Sequence, residues 1–243
     1  MSAGARLRVG VTATVREFLR EPVNLVLIVA LPLLIIPAYG SMMSAFPRLP
    51  YMETAPSTLG ALAGTLYVAA FLPGVIGLFQ VISARNADDR LTLTGFPRAT
   101  LFGVRLVAVG LASVVTAAIG VTVLTTQTTV AAVPAGVTVL VAVGLLYGLI
   151  GMLIGAVLPR ELEGSLVLIF LADLDEALAS GLMLPDATIT KAFPLYYPHR
   201  LFEAAVQGRP IETGDVIAVL AYLIGLLVVT VAVYTRFTGG TSR

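Results

Sequence analysis

Residues 133–158, VPAGVTVLVAVGLLYGLIGMLIGAVL, contain no charged side chain, and this stretch decides the fold class. A helix needs about 20 apolar residues to cross the ~30 Å hydrocarbon core of a bilayer, and this run is long enough. Five more apolar runs surround it, from Val23 to Tyr39, Leu59 to Ser83, Leu101 to Leu124, Leu162 to Leu184 and Val216 to Tyr234. Hydrophobic residues make up 58% of the chain and charged residues 12%. Soluble domains carry about 25% charged residues, so a water-soluble core is excluded. The mean hydropathy of +0.97 agrees. The sequence predicts an all-α polytopic membrane protein, a single domain over 1–243 with six transmembrane helices.

Almost every charge falls in the gaps between the runs. With six crossings, one side holds Arg6, Arg8, Arg16, Arg20, Arg85, Arg90, Arg98, Arg105, Arg160, Arg236 and Arg243, and the other Arg48, Lys191, Arg200 and Arg209. Eleven plus four accounts for all 15 basic residues. The positive-inside rule then predicts a cell-membrane protein with both termini cytoplasmic. Before the first span, Leu7, Val11, Val15 and Phe18 repeat at helical spacing, with Arg16, Glu17 and Arg20 on the other side. That pattern predicts an interfacial amphipathic helix over 1–22, with Pro22 opening a new helix. Pro32, Pro37 and the Pro73-Gly74 pair predict kinks within spans. Gly144, Gly148, Gly151 and Gly155 form one stripe of the fourth span. Such a stripe suits close helix packing inside the bundle or, next in order, a subunit interface.

Chemistry is scarce. The chain has no cysteine and one histidine, His199, which excludes disulfides, thiolate catalysis and multi-histidine metal sites. There is no phosphate-binding P-loop, nucleophile elbow or dinucleotide fingerprint, so no catalytic residue is assigned and no enzyme is expected. The fifth run is the exception to the apolar pattern. Asp173, Asp175 and Glu176 lie about 16 to 21 Å past its cytoplasmic start at 1.5 Å per residue. Three carboxylates cost roughly 7 to 10 kcal/mol, against about 3 to 7 kcal/mol returned by the apolar residues around them. They must therefore face protein, water or a partner. One reading has Asp173 and Glu176, three apart on one face, lining a hydrated path for a cationic or amphipathic substrate, with Asp175 beside them. The other takes the segment as the water-reached outer end of a short span.

The connection over 185–215 is dense in aromatic and apolar residues and reads as a re-entrant outer segment before the last span. Within it His199 and Glu203, spaced i, i+4, allow a proton relay, although a histidine beside prolines is more often an ordinary interfacial residue. The cytoplasmic loop over 84–100 mixes Arg85, Asp88, Asp89, Arg90 and Arg98 around Leu91, Leu93 and Phe96, a composition suited to docking a protein.

Three stretches carry a family resemblance. They are Arg16-Glu17-Phe18-Leu19-Arg20-Glu21-Pro22, the run from Arg90 through Gly95-Phe96-Pro97-Arg98 to Arg105, and Leu184-Pro185 followed by Phe193-Pro194 and Tyr197-Pro198-His199-Arg200-Leu201-Phe202. In this order they resemble the connecting helix, the coupling loop and the re-entrant outer segment of type 2 ABC exporter permeases. The resemblance implies a dimer with a second permease copy and a separate ABC ATP-binding subunit that carries ATP and Mg. It further implies coupling through Arg16, Glu17, Arg20, Arg85, Asp88, Asp89, Arg90 and Arg98, and contact with membrane lipid but no nucleic acid. The rival readings are a lipid-modifying membrane enzyme built on His199, Glu203 and the fifth-run acids, and a scaffold subunit without transport.

Overall fold

The computed structural model describes residues 22–48, 54–84, 98–158, 160–181 and 188–237, with isolated positions at 10, 12, 16, 87 and 90. Seven α-helices and no strands make up the described residues: α1 (Pro22–Ser44), α2 (Pro56–Ser83), α3 (Arg98–Thr125), α4 (Val133–Val157), α5 (Glu161–Ala179), α6 (Tyr196–Gln207) and α7 (Thr213–Phe237). A single 3-10 turn, Thr188–Ala192, precedes α6.

Five of these helices, α1 to α4 and α7, are long and apolar enough to cross a membrane. In lipid no water satisfies the backbone, so helices, which close their own hydrogen bonds, are the form such runs must take. The sixth expected span does not meet that standard. α5 has 19 residues and carries Glu161 and Glu163 in its first turn as well as Asp173, Asp175 and Glu176. It ends at Ala179, short of the expected Leu184, and its five acids set it apart from the other runs. The prolines interrupt nothing: α1 continues through Pro32 and Pro37, and α2 through Pro73.

α2 is the centre of the bundle, packed against α1, α3, α4 and α5, and its contact with α4 is the most extensive. Small residues explain that contact. A Cβ on Gly151 of α4 would overlap the carbonyl oxygen of Gly74 in α2, and one on Gly77 of α2 would overlap the carbonyl oxygen of Gly148. Further along the stripe, a Cβ on Gly155 would lie 2.8 Å from the Leu78 carbonyl oxygen, and one on Gly144 2.5 Å from the Ser113 hydroxyl of α3. Gly148 also faces Val109 of α3. The stripe is spent inside the bundle, on two neighbouring helices. Between helices in lipid there is no hydrophobic drive, so this backbone approach supplies much of the attraction.

The outermost helices keep apolar faces open. Val26, Val29, Leu33 and Leu34 of α1 and Ile217, Leu220, Ile224, Val228 and Val231 of α7 are exposed. On α7 these residues recur every three or four positions, the stripe of a helix facing lipid or another subunit. Near the start of α3, Arg105 is buried, donates to the carbonyl oxygen of Gln80 in α2 at 2.5 Å, and lies 5.6 Å from the ring centre of Tyr234 in α7. One guanidinium thereby ties three helices together near the loop expected to dock a partner.

Replacing Gly151 with Leu is expected to lower stability by about 1 to 3 kcal/mol or prevent assembly of the bundle, because the added atoms meet backbone. Gly225→Leu on α7, where nothing lies within 4 Å of the added Cβ, is expected to change little. Denaturant titration of both variants in detergent micelles checks the contrast.

Candidate functional site

Three buried ionisable groups, Asp175, Glu176 and His199, gather where α5 meets α4 and the segment leading into α6. Asp175 is fully buried and accepts a hydrogen bond from the Tyr147 hydroxyl of α4 at 2.5 Å. Both its oxygens lie 3.1 Å from the backbone N–H of Leu195, the residue before α6. The next residue, Glu176, is also buried, and its Oε1 stands 3.0 Å from Nδ1 of His199 on α6. Its Oε2 is buried and has no hydrogen-bond partner among the described residues. Two carboxylates in apolar surroundings would be costly alone; here α4 and α6 supply the donors that offset much of that cost.

α6 is shaped to reach them. Pro198, His199, Leu201, Phe202, Ala205 and Val206 form its buried face, at spacings of three and four. The helix runs along the N-terminal half of α4, with Leu195 near the level of Tyr147 and Phe202 over Gly136. At its far end the carbonyl oxygens of Val206 and Ala205 accept from the N–H groups of Ala131 and Ala132 just before α4. Gln207 donates to the Thr54 hydroxyl at 2.8 Å, so the connection before α2 reaches the same place. α6 stops at Gly208, whose φ of 70° is a left-handed conformation that glycine adopts without strain.

The three acids in the second half of α5 part company. Residues two apart on a helix differ by about 200°, so burying Asp175 turns Asp173 outward. Asp173 is exposed and accepts a hydrogen bond from the Tyr39 hydroxyl of α1 at 2.9 Å. Glu176 lies about 60° from Asp173 on the wheel, but the edge of the buried arc passes between them. The two residues expected to line one path therefore sit in different surroundings. Asp175 and Glu176, in turn, are not the water-reached end of a short span; they are closed in by protein. The hydrogen bond of His199 goes to Glu176, while Glu203 accepts from Gln207 at 3.0 Å and pairs with Arg209 at 3.0 Å.

Of the residues expected to couple to an ATPase, Glu17, Arg20, Arg85, Asp88 and Asp89 lie outside the described residues, as does most of the expected 1–22 helix and of the 84–100 loop. Arg16 and Arg90 are exposed, and Arg98 opens α3. Gly10 rests against Val104 of α3, which places part of the N-terminal segment beside that helix. No group of three or more metal-binding side chains occurs among the described residues. The roles of two buried polar residues, one in the site and one near the start of α3, were not read from the sequence. Tyr147 reads as one more apolar position of a span, and Arg105 as one more basic flank. A polar ring or a guanidinium within an otherwise apolar helix was the available signal in each case.

Five apolar helices around a buried polar junction define a membrane-embedded, all-helical protein. Among known proteins, no family model matches the chain and no curated protein sequence does.

His199→Leu is expected to cost about 3 to 5 kcal/mol, because it strands Glu176 as a buried charge, while the double replacement His199→Leu with Glu176→Leu recovers most of the loss. Tyr147→Phe leaves Asp175 its Leu195 amide and is expected to cost only about 1 kcal/mol. Thermal melting of the purified variants ranks the three.

Proposed function

We propose that this chain is the permease subunit of an ATP-driven exporter of the type 2 ABC class, working as a dimer with a separate ATP-binding subunit. The observation that carries the reading is α6, a short amphipathic helix that folds back along α4 immediately before the last apolar helix and is pinned to the acids of α5. This is the order and placement that the resemblance in 185–215 implies.

In this reading α5 is the sixth crossing. α4 begins beside the far end of α6, its length of about 38 Å at 1.5 Å per residue carries the chain to the opposite end, and only Leu158 to Arg160 separate it from α5. α5 then returns about 28 Å, and its last turns meet α6. An even number of crossings puts both termini on one side, the cytoplasmic one by charge. Leu195 and His199, held at the depth of Tyr147, make the segment ahead of α7 re-entrant.

Closure of the ATP-binding subunits, carrying ATP and Mg, would press on the 84–100 loop and the N-terminal segment. Arg105 stands two turns above the start of α3 and holds α2 and α7, so a push on that loop moves three helices together. On the outer side, the bonds from Asp175 and Glu176 carry the motion of α5 into α6. A lipid-modifying enzyme would need His199 and Glu176 open to substrate, whereas here each closes off the other.

The chain has no cysteine, so single introduced cysteines report topology directly. Arg160→Cys is expected to react with an impermeant maleimide from the same side as a cysteine at either terminus, and Ile189→Cys from the opposite side. Labelling of positions 160 and 189 from one side removes the sixth crossing. Pull-down of the chain is expected to recover a P-loop ATPase that Asp88→Arg or Arg90→Glu releases; ATP-independent lipid turnover by the pure chain, or partner binding without transport, would instead select the enzyme or the scaffold.

A further inference from the structure

Asp173 differs from its neighbours Asp175 and Glu176 in being exposed, and from Glu161 and Glu163 in lying far from the helix's first turn. It lies 12 residues into the helix, about 18 Å along its axis, on a face whose other members Leu166, Phe170 and Leu174 are apolar and exposed. A carboxylate facing lipid at that depth costs about 2.5 to 3.5 kcal/mol. One hydrogen bond from Tyr39 leaves most of its acceptor capacity unused, and among the described residues no cation pairs with it. Its position calls for a positive charge from elsewhere.

Beside it three rings are stacked. Tyr39 of α1 lies over Tyr67 of α2 with centroids 5.9 Å apart and planes 19° apart. Tyr67 lies against Phe71, one turn further along α2, at 5.7 Å and 7°. The hydroxyl that reaches Asp173 belongs to the first ring of this stack, so carboxylate and aromatic rings form one patch across α1, α2 and α5. Aromatic faces attract cations and offer apolar area at the same time.

We propose that this patch binds a lipophilic organic cation, with Asp173 as the counter-charge and the half-buried rings of Tyr39 and Phe71 as the surface on which its apolar body rests, the buried Tyr67 ring holding the two in place from between them. The inference rests on the exporter reading in taking such a cation as cargo. A metal ion is a poor fit, because one carboxylate and one phenol fall short of the six to eight oxygen ligands that calcium takes. A neutral lipid would gain nothing from Asp173.

The test uses the whole purified chain in nanodiscs of uncharged lipid, without nucleotide or partner, and tetraphenylphosphonium as the probe. Equilibrium dialysis is expected to show saturable binding that weakens at least tenfold in Asp173→Asn and is largely kept in Asp173→Glu. Phe71→Leu is expected to weaken it about fivefold, the scale of one cation–ring contact. Triphenylphosphine oxide, similar in shape but uncharged, is expected not to compete. Equal affinity in the wild-type and Asp173→Asn proteins, competition by the neutral compound, or no saturable binding to a monodisperse wild-type protein overturns the proposal. Because no ATPase takes part, a chain that binds the cation but never captures an ATPase defeats only the exporter reading, and one that exports other cargo while failing here defeats only this site.

Discussion

Adjacent carboxylates in an otherwise apolar helix are the constraint around which the rest of this bundle is arranged. Asp175 and Glu176 cannot face hydrocarbon, and no single neighbour has donors enough for both. α4 contributes a phenol, the entry to α6 a backbone amide, and α6 itself an imidazole. For those groups to arrive, the chain between α5 and α7 has to fold back along α4 rather than loop through solvent. The amphipathic face of α6 makes that possible, since its apolar side packs on the bundle while Arg200, Glu203 and Arg209 stay at the rim.

A second constraint is distance. α2 and α4 approach so closely that glycines of each lie against carbonyl oxygens of the other, and this leaves the centre of the molecule without room for adjustment. The periphery is built differently. α7 buries little of its apolar surface and joins the bundle on one side only. A closely packed core of α1, α2 and α4, with Gly60 of α2 lying against the Tyr39 carbonyl oxygen of α1, and a more loosely seated α7 suit movement of packed elements as units, as the proposed export would need.

Much of this plan was legible beforehand. The apolar runs at 59–83, 101–124, 133–158 and 216–234 match α2, α3, α4 and α7 to within a few residues, because span length and hydropathy are local properties. α5 was harder: its acids announced themselves, but not how short the helix is. The spacing of Asp173 and Glu176 suggested one shared face, and i, i+3 neighbours do lie close on a helix. A difference of about 60° is too small to reveal on which side of a burial boundary each will fall. His199 followed the same course, since the nearest acid along the chain, Glu203, lost to one 23 residues away.

From the sequence alone came the membrane, the placement of its apolar helices and the demand that the acids of α5 find company, since each follows from the free energy of transferring a local segment into lipid. Tertiary structure alone decided which company: Tyr147, Leu195 and His199 for the inner pair, Tyr39 for Asp173. Hydrogen bonds reach about 3 Å and depend on direction, so their partners are chosen by how helices from distant parts of the chain turn toward one another, and no single segment encodes that rotation.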